Sequence, residues 1–179
     1  ISAFSKTGED VRAMLRSENR DDELRDLGAL EIVHADLLNQ DEVTVAANGC
    51  RAIYYICPNM TSAENTIGNN VIAAAKSANV ERLIFHSVLH TQVKALKHHW
   101  ERLLVEEAIV ESGVPYSILQ VGSYYQNMLP GWGRMLETGA HAMAYDTGVS
   151  MSLVDLDDVA EAACRVAADP GCTNGIFEI

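Results

Sequence analysis

Residues 96–107, LKHHWERLLVEE, set two adjacent histidines, His98 and His99, beside Trp100 and Arg102 at the start of an amphipathic segment. An imidazole titrates near neutral pH and suits proton transfer there. His98 is therefore read as a candidate proton donor, with a substrate-pocket wall and a solvated helix start as the alternatives. Ser87 closes the apolar run RLIFHS. It is a second candidate catalytic group, because open α/β sheets bind ligands at the carboxyl ends of their strands. The alternative is a buried hydroxyl that satisfies backbone groups. His86, His90 and the two helix histidines match no zinc spacing and bring no cysteine or carboxylate pair, so no metal site is expected.

These groups need a frame. VRAMLR (11–16), LEIVHA (30–35), AIYYIC (52–57), RLIFHS (82–87) and YSILQV (116–121) are nearly continuous in apolar residues, as strands covered on both faces should be. Helical patterns lie between them. SENRDDELRDLG stops at Gly28, and NQDEVTVAANG ends in the same way. SAENTIGNNVIAAAKSANV sets Ile67, Val71, Ala74, Ala75 and Ala78 on one stripe. HHWERLLVEEAIVESG groups Trp100, Leu104 and Ala108, flanked by Val105 and Ile109, and stops at Gly113. VSMSLVDLDDVAEAACRVAADP predicts a strand, an Asp155 cap with Asp157 and Asp158 in the first turn, and a helix ending near Pro170; GIFEI is a last strand. Repeated strand–helix–strand units require parallel strands, so the fold class is α/β, a doubly wound parallel sheet in one domain over 1–179.

Length and composition agree. A chain of 179 residues, 48% apolar, can bury one core. No apolar run approaches the length of a membrane span, so no membrane partner is expected. The net charge of -12 opposes nucleic-acid binding. Cys50, Cys57, Cys164 and Cys172 form no CxxC pair, and reduced thiols in a cytoplasmic protein are expected.

In a doubly wound sheet the first strand and turn carry the glycines that admit a pyrophosphate. No GxGxxG occurs here. ISAFSKTG reads as the back half of a helix, so the first strand and glycine loop are expected to be missing from this chain, as is a closing helix after the final strand. The second strand ends MLRSENR. An arginine at that tip pairs with the 2′-phosphate of NADP, so Arg16 is a candidate cofactor contact; a plain surface arginine is the alternative.

Several stretches together resemble the NmrA-like branch of the atypical short-chain dehydrogenases: VRAMLR, GALEIVHADLLNQDEV, NNVIAAAKSANVERLIFHSV, HHWERLLVEEAIVESGVPYSILQVGSYYQNML and VDLDDVAEAA. They run in the family's order over almost the whole chain, and the piece from His98 to Leu129 is the most specific. The resemblance implies a Rossmann fold that binds NAD(P). By position it implies Arg16 at the 2′-phosphate, Asp36 and Leu37 at the adenine, and Cys57 and Pro58 at the adenosine ribose. Ser87 falls where the commoner relatives keep a catalytic serine. LQVGSYYQN is similar to the loop over the nicotinamide, which brings in Val121, Gly122, Tyr124 and Asn127; Val121 replaces the proline that usually leads it. Where the commoner relatives hold a tyrosine and, four residues on, a lysine, this chain has His98 and Arg102. Arg102 is then expected to hold the nicotinamide ribose but cannot act as a base. Tyr124, Tyr125 and Trp132 either line a quinone-like pocket or pack in the core. The expected function is NADPH-dependent reduction of a small carbonyl or quinone-type acceptor, with NAD a less suited cofactor. The alternative is a non-catalytic NADP(H) sensor acting through a protein partner. A sugar-nucleotide epimerase is disfavoured by the missing tyrosine.

Overall fold

The β-branched and aromatic runs form parallel strands, and the segments between them cover the sheet on both faces. The computed structural model describes residues 1–142, 146 and 148–179. The order is α1 (Ser2–Lys6), β1 (Arg12–Leu15), α2 (Asp21–Asp26), β2 (Glu31–His34), α3 (Gln40–Ala47), β3 (Ala52–Ile56), α4 (Glu64–Ala78), β4 (Arg82–Val88), α5 (Lys97–Glu111), β5 (Tyr116–Val121), β6 (Ser123–Tyr124), α6 (Trp132–Thr138), β7 (Leu153–Val154), α7 (Leu156–Ala168) and β8 (Gly175–Glu178). β1 pairs with β2, and β3, β4, β5 and β8 form a second ladder in that order, all parallel. In the doubly wound order 3-2-1-4-5-6, β2 and β1 occupy the third and second places and β3, β4 and β5 the fourth to sixth. Among the described residues no strand joins β1 to β3.

Alternation along the strands divides the core. Leu83, Phe85 and Ile118 face α3, α4 and α5, whereas Ile84, Leu119 and Val121 face α7 with Phe4 of α1 against them. Phe85 is fully buried and stacks on Tyr55 with ring centroids 5.2 Å apart. Truncating such a ring costs about 3–5 kcal/mol. Helices α4 and α5 approach closely because Gly68 has no side chain; a Cβ there would lie 2.9 Å from both Val105 methyls.

Three elements differ from the sequence expectation. The segment 17–28 is divided into a 3-10 turn (Glu18–Arg20) and α2, since Arg20 leaves helical geometry with φ -129° and ψ 12°. β7 covers only two residues, because its partner β6 offers only Ser123 and Tyr124 for pairing. The inner face of α5 is centred on Arg102, Val105, Glu106 and Ile109, and Trp100, Leu104 and Ala108 lie on its flank. Two charged residues displace the expected apolar stripe because each finds a buried partner. Asp155 caps α7 as expected, accepting from Asp157 N at 2.8 Å.

No described helix is long and apolar enough to cross a membrane.

Candidate active site

The carboxyl ends of β1, β2, β3, β4 and β5 open into one cleft of about 1350 Å³. All twelve residues given a catalytic or cofactor-binding role from the sequence line it.

At one end stands Arg16, just past β1, exposed and without an ion pair among the described residues. Asp36 and Leu37 follow β2. The Asp36 carboxylate accepts from Leu38 N at 2.9 Å, and Asp36 N donates to the Glu42 carboxylate at 2.8 Å, so the turn is held from both sides. Asn70 reaches from α4 to donate to Leu37 O at 2.9 Å. These contacts fix the rim and leave the Arg16 guanidinium open to an anion. Cys57 and Pro58 continue β3 at mid-cleft. Burial pushes the Cys57 thiol up, so it is no thiolate nucleophile.

The other end holds the chemistry-bearing groups. His98 presents Nδ1 to the Glu64 carboxylate at 3.5 Å. Burial, and then the Arg102 charge, lower its pKa, so the imidazole is neutral at neutral pH. Glu64 opens α4, is fully buried and ion-pairs with Arg102 Nε. Burial raises its pKa against the opposing pull of Arg102.

Two of the lining residues spend their polar atoms inside the protein. Arg102 lines the cleft, but protein groups occupy its guanidinium. Its Nη1 donates to His86 O at 2.8 Å, Nη2 donates to Cys57 O at 3.3 Å, and the guanidinium lies 5.5 Å from the Phe85 ring. The inward pull comes from the Glu64 carboxylate, and the result is a floor that ties β3, β4, α4 and α5 together. Ser87 likewise turns inward. Its hydroxyl donates to the Glu106 carboxylate, which also accepts from Gln120 Nε2 at 2.9 Å and from Thr91 Oγ1 at 3.4 Å. Ser87 thus satisfies a buried acid, whose pKa burial raises and these donors pull back.

The sequence weighs His86 only as a metal ligand and misses its two phenol partners. Its Nδ1 lies 2.6 Å from Tyr54 Oη and its Nε2 lies 2.6 Å from Tyr124 Oη. Burial lowers its pKa to about 4. The visible signal was alternation, which sends His86 to the face opposite Ser87; the identity of its neighbours required the strand order. Tyr124 lines the cleft, while Tyr125 and Trp132 are exposed beyond it. Val121 is buried and accepts from Leu89 N at 2.9 Å; Gly122 N donates to Ile179 O at 2.9 Å. Gly122 passes so near the segment before β7 that a Cβ would lie 3.2 Å from Ser152 O. Asn127 donates to Ser123 Oγ at 3.4 Å and is exposed.

The donor set fits the two ends of a dinucleotide, with an open guanidinium at one and proton-bearing side chains at the other. The cradle for the central diphosphate has no glycine-rich turn in this sequence.

Known proteins resemble the chain over these same elements. Quinone oxidoreductase 2 of Escherichia coli (strain K12) is 28% identical over 150 residues, which are 84% of this chain and 52% of that protein. The chain therefore spans about half the length of that curated relative. A crystal structure of the NADPH-dependent quinone oxidoreductase of Escherichia coli complexed with NADPH superposes with a TM-score of 0.82 at 26% identity, covering 99% of this chain and 62% of that one. The triphenylmethane reductase of Citrobacter sp. complexed with NADP(H) shares the fold, with a TM-score of 0.85 at 20% identity over 99% of this chain and 65% of that one. The model of the NAD(P)H-binding family matches residues 2–170, and the chain belongs to that family.

Proposed function

We propose that the protein is an NADPH-dependent reductase of the NmrA-like branch, acting on a small carbonyl or quinone-type acceptor. The observation that carries this reading is the gathering of all twelve predicted residues around one cleft at the strands' carboxyl ends. The 28% identity to a quinone oxidoreductase supports the acceptor class.

Bound NADPH supplies a hydride. Arg16 holds the 2′-phosphate with charge-assisted hydrogen bonds. Asp36 and Leu37 border the adenine, and Cys57 and Pro58 the adenosine ribose. The loop from Val121 to Asn127 covers the nicotinamide and keeps water away. Arg102 acts from below, fixing the strand ends. At the acceptor end the chain offers two proton-bearing side chains, the His98 imidazole and the Tyr124 phenol.

The test mixes purified protein with NADPH and a panel of quinones and small carbonyls and follows the reduced-nicotinamide absorbance. Consumption that requires both protein and acceptor is expected. NADPH binding without consumption would refute the reductase and leave the second reading, an NADP(H) sensor. The inward commitment of Ser87 and Arg102 favours that second reading, because neither then serves the chemistry.

A further inference from the structure

We infer that Tyr124 is the proton donor of this reaction, and that His86 and Tyr54 form a hydrogen-bonded relay that keeps its proton directed into the cleft. The inference rests on the reductase reading above, chooses Tyr124 of its two proton-bearing side chains, and adds His86 and Tyr54.

Three polar side chains lie in line across the α7 face of the sheet, among Ile84, Leu119, Val121 and Phe177. Polar groups in such surroundings must satisfy one another. His86 does so at both nitrogens, each 2.6 Å from a phenol oxygen. A neutral imidazole carries one N–H, so one nitrogen donates and the other accepts. Two arrangements are possible. In the first, Tyr54 donates to Nδ1, Nε2–H donates to Tyr124, and the Tyr124 hydroxyl is left for a ligand. In the second, Tyr124 donates to Nε2, Nδ1–H donates to Tyr54, and the spare hydroxyl belongs to Tyr54.

The surroundings choose between them. Tyr54 has no second hydrogen-bond partner among the described residues and packs on Phe4 with ring centroids 5.8 Å apart. Tyr54 is not among the residues lining the cleft, so a spare proton there does not reach the acceptor. Tyr124 lines the cleft with Gly122 and Asn127, at the end where the proposed reductase function puts the acceptor. The first arrangement puts the spare proton where an oxygen can take it, and hydrogen bonds aligned in one direction strengthen each other. Burial sets the protonation that both arrangements share. It raises the pKa of both phenols, so both hold their protons at neutral pH, and it keeps His86 neutral.

The step balances. As the acceptor gains the hydride, its oxygen takes the Tyr124 hydroxyl proton. Tyr124 oxygen takes the Nε2 proton and Nδ1 takes the Tyr54 proton. Tyr54, which is only partly buried, then recovers a proton from solvent, and the imidazole proton returns to Nε2 before the next turnover. The acceptor gains one hydride and one proton, NADPH becomes NADP⁺, and solvent loses one proton. Tyr124 is the catalytic residue; His86 and Tyr54 are positioning residues.

The first test is independent of turnover. Nitrogen-15 NMR of the imidazoles in the protein as purified should show His86 neutral with its proton on Nε2, and Tyr54→Phe should shift it toward a tautomer mixture. A proton on Nδ1 in the wild type overturns the relay. The second test is kinetic, with NADPH and a quinone. Tyr124→Phe should lower kcat by about a hundredfold or more, the range for losing a general acid. Tyr54→Phe should lower kcat by about tenfold and convert a bowed solvent-deuterium proton inventory into a linear one, an effect that lost packing alone does not produce. Tyr124→Phe turnover within about twofold of wild type overturns the donor assignment alone. A wild type that binds NADPH and consumes none overturns the reductase reading and the donor role together, while the tautomer still reports on the relay.

Discussion

Glu64 and Arg102 form an ion pair inside the protein, the carboxylate fully buried and the guanidinium side chain 5% exposed. The pair joins the start of α4 to the first turns of α5, and Arg102 extends it to the carbonyls of Cys57 and His86. Removing one member strands the other charge in a low dielectric. Arg102→Ala should therefore destabilise the protein by about 3–5 kcal/mol, measured by urea unfolding. The double replacement Glu64→Leu/Arg102→Met should cost clearly less than the sum of the single replacements, because no charge is left behind. Additive losses would show that the two residues are not coupled. Arg102→Lys should also lose stability, since an ammonium lacks the planar fork that reaches a carboxylate and two carbonyls together.

Ser87 makes the contrasting case. Its hydroxyl is one of three donors to the buried Glu106 carboxylate. Ser87→Ala should lower unfolding free energy by about 1–3 kcal/mol, the cost of an unsatisfied buried acceptor. Turnover should change by less than about threefold, because the lost hydroxyl is not a general acid, whose removal costs at least a hundredfold. A hundredfold fall in kcat with unchanged stability would restore Ser87 to the chemistry.

His86 gives the stability a pH dependence of known sign. Burial lowers its pKa from 6.5 to about 4 in the folded protein. Between those values the unfolded chain binds the proton and the folded one does not, so stability is full above pH 6.5 and falls as pH drops toward 4. The loss across the window is about 3 kcal/mol. Glu64 and Glu106 are shifted upward and act with the opposite sign. Comparing wild type with His86→Gln cancels their effect. The wild type should lose about 3 kcal/mol more than the variant between neutral pH and about pH 4, by urea unfolding at each pH. Equal losses would mean that His86 titrates normally.

Much of the frame was legible before the structure. β5 covers Tyr116–Val121 as the apolar run YSILQV predicts, and Gly28 and Gly113 take the positive φ, 97° and 76°, expected of helix-ending glycines. The cleft was legible too, because strand order in a doubly wound sheet puts the carboxyl ends of β1 to β5 along one edge. Side-chain partnerships were not. Nothing in SAENTIG announces the partners of Glu64, and only the packing of α4 against α5 brings it to Arg102 and His98. Arg102 and Glu106 share the inner face of α5 with Val105 and Ile109, a pattern that apolar periodicity misreads because it has no place for paired buried charges. Tyr54, His86 and Tyr124 meet through the neighbouring strands β3 and β4 and the short β6, so no local spacing announces them.

The most direct measurement of the central claim is calorimetric titration of NADPH and NADH into the wild type and Arg16→Ala. The Arg16 guanidinium, unpaired at the rim among the described residues, is assigned the one group that distinguishes the two cofactors. Arg16→Ala should weaken NADPH by about 1.5–3 kcal/mol and leave NADH nearly unchanged. Equal weakening of both, or a wild type that binds NADH as tightly as NADPH, would contradict the assignment of this cleft to NADPH.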